Sequence, residues 1–325
     1  MIYVETGSED VYYNFGLEYY FTVEKRLSEP VFLFWRTTPT LMVGKYQNTL
    51  EEINGPYAEQ HGIHVVRRMS GGGTIYTDPG GWQFTFIDYG DSDEIHFQEY
   101  IAPVIDALRA LGIPAEFNGR NDLVIEGKKF SGNAQYKLAG NTVHHGSLLY
   151  ATDIAQMVAA TTVDEYKILS KSIKSVRDRV TNISEHMQTP LSPEAFKEHM
   201  ISYILRGGGR CELTDADRAR IRELAAERFG NWQSIYGQNP KFQIVKTGRL
   251  PGGKMEFHLD VQKGRITGAA VYGDFFASQK ADGLAALLTG CEYSRAAVQQ
   301  ALEDGGMRGA VYGASPEEMA AVIAD

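Results

Sequence analysis

The chain has 325 residues, of which 43% are hydrophobic and 22% charged, and it carries a net charge of −9. This is ordinary composition for a folded protein and excludes intrinsic disorder, while the acidic surplus argues against broad nucleic-acid binding, which needs a basic face. No apolar run approaches the length of a membrane span, and Met1-Ile2-Tyr3-Val4-Glu5-Thr6 lacks the basic start and apolar core of a secretory signal, so a cytoplasmic home is expected.

At this length two domains are the natural expectation. Asp10 reads as the cap of a helix over 10–27, in which Phe15, Tyr19, Val23 and Leu27 recur at helical spacing. The run from Pro30 to Trp35 is too short for a helix and predicts a buried strand. Leu41-Met42-Val43-Gly44 predicts a second, after the Thr38-Pro39 break. Asn54 to Gly62 predicts a short helix closed by glycine.

His64-Val65-Val66 then leads into Arg67-Arg68-Met69-Ser70-Gly71-Gly72-Gly73-Thr74-Ile75-Tyr76-Thr77-Asp78, and a β-prone run from Trp82 to Ile87 follows the Pro79-Gly80-Gly81 turn. Three glycines in a row are entropically costly, and a chain keeps them where the backbone reaches φ > 0 or approaches something closely. Between strands, such a loop can aim several N–H groups into one concavity and bind a phosphate or carboxylate, with the arginines adding charge and forked donors. A glycine-rich hairpin that binds nothing fits the triglycine equally well.

Asp93 to Leu111 predicts a helix that either kinks at Pro103 or starts near it. From Ala115 to Tyr150 short β-like pieces follow, Asp122 to Ile125, Lys128 to Phe130 and Val143 to Tyr150, separated by turns at Glu126-Gly127 and Ala139-Gly140-Asn141. This hairpin-rich pattern predicts a mixed α/β sheet rather than a doubly wound parallel one. Helices are expected over 153–158, 192–206 and 213–228, and the second triglycine, Arg206 to Arg210, reads as a plain turn between two of them. Asn231 to Pro240 resembles a linker. Beyond it, strands at Phe242 to Val245, Met255 to Val261 and Ile266 to Tyr272, with helices near 278–289 and 294–303, form a small second module.

Lys128 and Lys129 sit on one predicted strand and must face opposite ways. One of them entering a pocket would hold an anionic substrate and neutralise developing charge; a surface lysine on an edge strand is the plain alternative. Asp122, with the Asn121 amide beside it, can ligate Mg²⁺ next to phosphates or act as a turn residue. His144-His145-Gly146-Ser147 has no third ligand at metal spacing. Lys167, Lys171, Lys174, Arg177 and Arg179 cluster in an acidic chain and suit either a nucleotide phosphate or a solvated helix face. Cys211 and Cys291 lie far apart, form no metal or redox spacing and fall in none of these segments, which suits a reducing compartment and counts against a thiol nucleophile.

Taken together, the segments resemble lipoate-protein ligase. Phe32-Leu33-Phe34-Trp35-Arg36 with Val43-Gly44 and Gln47-Asn48, then Arg67 to Gly73, Gly119-Arg120-Asn121-Asp122-Leu123-Val124, Lys128-Lys129-Phe130-Ser131-Gly132, His144 to Leu149 and Ser175 to Asn182 follow the family's order. The resemblance implies a mixed central sheet of the biotin/lipoate ligase type with flanking helices in a catalytic domain at 1–243, and a small α/β accessory domain at 244–325. It implies that lipoate's carboxylate attacks the α-phosphorus of ATP, with Mg²⁺, and that a lysine of an acceptor then takes the lipoyl group. Lys129 would be the catalytic residue, contacting carboxylate and α-phosphate. Arg68, Gly73, Thr74, Ile75, Tyr76, Asp122, Ser175 and Arg177 would hold ATP, Asp122 would carry the Mg²⁺, and Ser175 to Asn182 would close over the adenylate. Arg68, Ser70, Gly71, Gly72, Lys129, Ser131, Gly132 and His145 would hold lipoate. Lipoyl domains of 2-oxoacid dehydrogenase E2 subunits and the glycine-cleavage H protein would be the partners, with no nucleic acid and no membrane.

Two positions depart from the family pattern: Thr77-Asp78 replaces the common histidine-aspartate, and Gly80-Gly81 replaces Gly-Asn. Both changes, with the bulky Trp82 beside them, bear on acyl specificity or acceptor choice. An octanoyl or lipoyl transferase working without ATP, and a non-catalytic homologue that binds lipoate or nucleotide, are the rival readings. Biotin-protein ligase shares the architecture but has its own glycine-rich pattern.

Overall fold

The computed structural model describes residues 1–90, 96–161, 169–236, 244–262 and 264–324. After β1 (Ile2–Val4), the Asp10 carboxylate accepts the Tyr12 and Tyr13 N–H groups and starts α1 (Val11–Tyr19), which widens into a π-type turn over Tyr20–Glu24 and stops short of the expected Leu27. The strands β2 (Val31–Trp35) and β3 (Thr40–Val43) lie where their apolar runs predict. A short α2 (Thr49–Glu52) was not legible, whereas α3 (Gly55–Gln60), capped by Asn54, was. Next come β4 (His64–Arg67), β5 (Ile75–Thr77) and β6 (Gly81–Asp88).

Helix α4 (Phe97–Ala110) runs through Pro103 rather than starting there; residues 93–95 of the expected helix lie outside the described residues. Four strands follow: β7 (Ala115–Phe117), β8 (Asp122–Ile125), β9 (Lys128–Leu138) and β10 (Asn141–Leu149). Strand β9 is far longer than its apolar signal, because Ser131 to Gln135 continue it with buried polar side chains. Then come α5 (Ile154–Thr161), α6 (Leu169–Arg177) and α7 (Pro193–Leu205). The second triglycine turns the chain, with Arg206 and Gly207 at positive φ, and then supplies the edge strand β11 (Gly209–Cys211). Helix α8 (Asp215–Arg228) opens on a Thr214 capping box. In the expected linker, Trp232–Ile235 form the short α9, and 237–243 lie outside the described residues. The remaining chain forms β12 (Ile244–Leu250), β13 (Gly253–Gln262), β14 (Arg265–Gly273), α10 (Leu284–Leu288), α11 (Arg295–Asp304) and α12 (Pro316–Ala324).

Among the described residues, eight strands form a mixed sheet in the order β11-β1-β2-β6-β10-β9-β8-β7, with β1 parallel to both neighbours and the other pairs antiparallel. A small sheet β4-β3-β5 carries the triglycine loop between β4 and β5. The antiparallel β12-β13-β14 sheet builds a separate core with α10, α11 and α12. Alternation sorts the large sheet's faces: Phe32 and Phe34 pack toward α4 and α7, while Val31, Leu33 and Trp35 pack toward α1 and α8. Across the strands this puts Trp35, Gln83 and Ser147 in one row and Leu33, Thr85 and His145 in the next, all on the α1 side. No described helix is long and apolar enough to cross a membrane.

His144 faces the other way, fully buried among Phe84, Phe86, Phe97 and Tyr100. Its Nε2 lies 3.3 Å from Asn133 Oδ1, and burial, aided by the neighbouring His145, holds its pKa well below the usual histidine range. The unfolded chain takes up a proton near pH 6.5 that the folded chain refuses. Stability therefore falls as pH drops below about 6.5, by at most about 1.4 kcal/mol per pH unit from this group. Urea denaturation at pH 7.5 and 5.5 is expected to show a smaller acid loss in His144→Gln than in the native chain, and equal losses would disprove the assignment.

Candidate functional site

Two cavities meet at Lys129. The inner one, about 110 Å³, is lined by Phe15, Trp35, Met42, Arg68, Gly72, Gly73, Thr74, Ile75, Gln83, Asn121, Asn133, Ala134, His145 and Phe276. The outer one, about 280 Å³, is lined by Tyr76, Phe130, Ser131, Met157, Val158, Val176 and Val180. Thr74, Ile75, Lys129, Gly132 and Ser147 border both. A larger polar groove, about 830 Å³, lies at the β1 and β11 edge and shares none of these residues.

Strand alternation sends Lys128 to solvent and turns Lys129 inward, with 41% of its side chain exposed. A register break opposite Val124 re-aims the strand at this point. The Lys129 backbone is pinned on both sides, its N–H donating to Arg179 O at 2.8 Å and its carbonyl accepting from Thr181 N at 3.0 Å. Its ammonium lies over Gly132, where a Cβ would come within 3.2 Å of Nζ. Asp122 Oδ1 sits 2.7 Å from Nζ as an ion pair and is itself buried with no donor aligned on it as a hydrogen bond. Among the described residues no group of three or more His, Cys, Asp or Glu side chains forms a metal cage.

The triglycine loop is organised by arginines that face inward. Arg68, 6% exposed, donates from Nε to Ser70 Oγ at 3.1 Å, from Nη1 to Met42 O at 2.7 Å, and from Nη2 to Gly71 O at 2.9 Å and Gly73 O at 2.7 Å. Burial, with Arg67 beside it, lowers its pKa to about 10, so it stays charged at neutral pH. Arg67 bonds the carbonyls of Gly44, Lys45, Gln47 and Ile235. The sequence assigns these forks to a ligand; in the fold Arg68 holds Met42 and the loop carbonyls of Gly71 and Gly73, while Arg67 holds the β3–α2 connection and Ile235. Nor do all the loop's N–H groups converge on one concavity, since Gly72 N–H donates to Phe275 O at 3.0 Å. A Cβ on Gly71 would fall 1.9 Å from that same oxygen, so the loop is small there because the β14–α10 connection lies against it.

Behind the inner cavity runs a buried polar chain. Ser70 Oγ lies 2.6 Å from His145 Nε2, and His145 Nδ1 lies 3.2 Å from Glu18 Oε2. Thr85 donates to Glu18 Oε2 at 2.8 Å and Tyr136 to Glu18 Oε1 at 3.0 Å. Burial, then the Glu18 charge, pushes the Tyr136 hydroxyl far above the usual tyrosine range. Glu18 is 1% exposed and escaped the sequence reading. The one signal was an acid in an otherwise apolar stretch, Phe15 to Phe21, of α1.

Of the sequence-predicted residues, the fold brings Arg68, Gly72, Gly73, Thr74, Ile75, Tyr76, Lys129, Ser131, Gly132 and His145 to the two cavities, with Asp122 on the ammonium. Ser70 and Gly71 lie behind the inner wall, next to Arg68. Ser175 and Arg177 do not join them: both are exposed on α6, and Val176 and Val180 are the members of that segment that line the outer cavity. The rest of the predicted covering segment is anchored, with Thr181 and Asn182 buried and Asn182 Oδ1 accepting Thr152 N–H at 2.9 Å. Of the basic cluster, Lys174, Arg177 and Arg179 are exposed, while Lys167 and the side chain of Lys171 lie outside the described residues. Trp82, expected beside the site, points to the opposite face and stacks on Phe34 at 5.0 Å.

The C-terminal segment reaches the site too. Phe276, 2% exposed, closes part of the inner cavity under Arg120, whose Nη2 donates to Gly252 O at 2.7 Å. Tyr46 stacks on Phe275 at 4.4 Å, and Lys45 pairs with Asp282 at 2.6 Å.

Comparisons with known proteins agree on one family. Residues 10–205 match the model of the lipoyl protein ligase A/B catalytic domain, and residues 239–323 match that of the bacterial lipoate protein ligase C-terminus. The chain is 38% identical over 310 residues to lipoate-protein ligase LplJ of Bacillus subtilis, covering 93% of this chain and 94% of that protein. In fold it is similar to P. falciparum LipL1 in complex with lipoate, with a TM-score of 0.77 at 21% identity over 93% of this chain and 94% of that one. It is also similar to lipoate-protein ligase A bound with ATP, with a TM-score of 0.60 at 22% identity over 73% and 97%.

Removing the Glu18 carboxylate strands the Thr85 and Tyr136 hydroxyls and takes the partner from His145. Glu18→Ala is expected to lower the free energy of unfolding by roughly 3 kcal/mol, read from urea denaturation at pH 7. A loss below about 1 kcal/mol would show that the chain of polar groups carries no such load.

Proposed function

The chain belongs to the lipoate-protein ligase family, and from that premise we propose that it activates lipoate with ATP and passes the lipoyl group to a lysine of an acceptor protein. In the first step a lipoate carboxylate oxygen attacks the α-phosphorus, forming the acyl–phosphate anhydride lipoyl-AMP and releasing pyrophosphate. In the second the acceptor amine attacks the acyl carbon, the amide forms, AMP leaves and the amine proton passes to solvent. The supporting observation is that Lys129 is the one cationic side chain among the described residues that borders both cavities. An apolar acid in the inner cavity and a nucleotide in the outer one would therefore meet at its ammonium.

On this reading Lys129 is the catalytic residue. It attracts the carboxylate, then balances charge that builds on the α-phosphoryl oxygens, in a site that excludes much of the water. Asp122 holds the ammonium in place until those anions arrive. By the cavity each lines, Gly72, Gly73, Gly132 and His145 border the acyl chain and Thr74, Ile75, Tyr76 and Ser131 the nucleotide, so Gly73 and Ser131 exchange the ligands that the resemblance implied for them. Arg68 serves both by fixing the loop, because its donors are spent on Met42, Ser70, Gly71 and Gly73.

Asp122 also fits Mg²⁺. That ion takes one or two carboxylates together with substrate phosphates, and Asp122 offers a carboxylate beside Asn121 on the inner wall, its Oδ1 paired with Lys129 when no ion is bound. When bound, Mg²⁺ would neutralise phosphate charge. Val176 and Val180 supply apolar cover for the adenylate. Residues 1–243 are the proposed catalytic domain and 244–325 the accessory domain. Lipoyl domains of 2-oxoacid dehydrogenases and the glycine-cleavage H protein are the proposed acceptors, and the cytoplasm the proposed site of action. A thioester route without ATP finds less support, since Cys211 and Cys291 border neither cavity.

Incubating candidate acceptors with lipoate, ATP and Mg²⁺ is expected to add one lipoyl mass, with pyrophosphate released on lipoate addition. Lys129→Ala is expected to lower adenylation by on the order of 10²–10³; equal pyrophosphate release by both proteins removes Lys129 from the mechanism. Arg68→Ala is expected to weaken the use of ATP and lipoate together. An unchanged ATP dependence refutes the nucleotide assignment. Binding of both substrates without pyrophosphate release would instead mark a non-catalytic member of the family.

A further inference from the structure

We infer that Gln83, oriented by Thr77, reads the far end of the acyl chain and selects the sulfur-bearing ring of lipoate over a plain alkyl tail. This rests on the inner cavity being the acyl site. Gln83, the third residue of β6, is 4% exposed in a strand of the large sheet's interior, where an apolar side chain costs least, and it borders that cavity. Its Nε2 donates to the buried Thr77 Oγ1 at 2.8 Å. That bond sets the orientation of the amide and leaves its second N–H and its carbonyl oxygen for other partners.

Strand spacing places this amide at the right depth. The Lys129 ammonium lies over Gly132 on β9. Gly132 N–H donates to Ser147 Oγ on β10 at 3.3 Å, and Ser147 stands directly opposite Gln83 on β6, with Trp35 on β2 beyond. Two strand steps of about 4.8 Å put Gln83 roughly 10 Å from the column under the ammonium. An eight-carbon acid with its carboxylate at Lys129 covers that span, at about 1.2 Å per extended bond. Its last carbons then lie between Gln83, Trp35, Phe15 and Met42.

The ring sulfurs of lipoate are polarizable weak acceptors. A saturated tail offers the amide nothing and would desolvate it without a partner. Sites built around a polar group reject the analogue that lacks its mate. Both family departures belong to this arrangement. Thr77 supplies the anchoring hydroxyl, and a Cβ on Gly81 would come within 3.1 Å of that same Oγ1.

The test compares kcat/KM for lipoate and octanoate in ATP-dependent pyrophosphate release by the native chain, Gln83→Leu, Gln83→Met, Thr77→Val and Thr77→Ser. The native chain is expected to favour lipoate. Gln83→Leu and Gln83→Met are expected to lose lipoate activity through KM and gain octanoate activity, shrinking the ratio on the order of tenfold. Thr77→Val should shift it the same way by less, and Thr77→Ser should restore it. Octanoate turnover by the Gln83 variants shows that they fold. A native ratio kept by both Gln83 variants overturns the inference while leaving the ligase reading intact. Activation of neither acid by the native chain sinks that reading and this inference together.

Discussion

A buried guanidinium decides the shape of this site. With Arg68 placed among the carbonyls of Met42, Gly71 and Gly73, the triglycine loop has one way to run, and its charge must be compensated from within the protein. Compensation arrives through Ser70 and His145 to the Glu18 carboxylate, which Thr85 and Tyr136 also hold. Opposite charges at the two ends of one hydrogen-bonded chain thus tie the loop to α1 and to the middle of the large sheet. A partly satisfied network of this kind would be costly; here each linking side chain has a partner on both sides.

That rigid frame lets the Lys129 ammonium stand apart from it. Lys129 comes from a different strand, steadied by the Arg179 to Thr181 backbone and held electrostatically by Asp122. Loop and lysine share no covalent neighbourhood, yet the two cavities join where they meet. The C-terminal segment completes the enclosure, since Phe275 O accepts the Gly72 N–H and Phe276 closes part of the inner wall. The β12-β13-β14 sheet, with its own core, thus sends its exit connection against the inner cavity.

Polar residues account for most of what was hard to read. Ser131, Asn133 and Gln135 lengthen β9 well past its apolar start, because the ladder with β10 carries the strand on and Asn133 donates to Ser131 Oγ and Asn121 O. Glu18 and Gln83 sit among apolar residues in helix and strand, where periodicity marks them only as interruptions. Ser175 and Arg177 belong to a block that the resemblance assigns to ATP; α6 turns them to solvent, and Val176 and Val180 of the same block line the outer cavity.

By itself the sequence determined the mixed sheet, the helices with clear caps, the family and the strand that bears Lys129, because apolar spacing, turn residues and a run of ordered blocks are local properties. Only the tertiary structure decided that both arginines turn inward, that Gly71 is small for the sake of Phe275, and that Asp122 pairs with Lys129. It alone brought Gln83 and Phe276 to one cavity and set Glu18 behind its wall through His145. The physical reason is that a buried polar group is defined by its partners, and those of Glu18, namely Thr85, Tyr136 and His145, lie far along the chain.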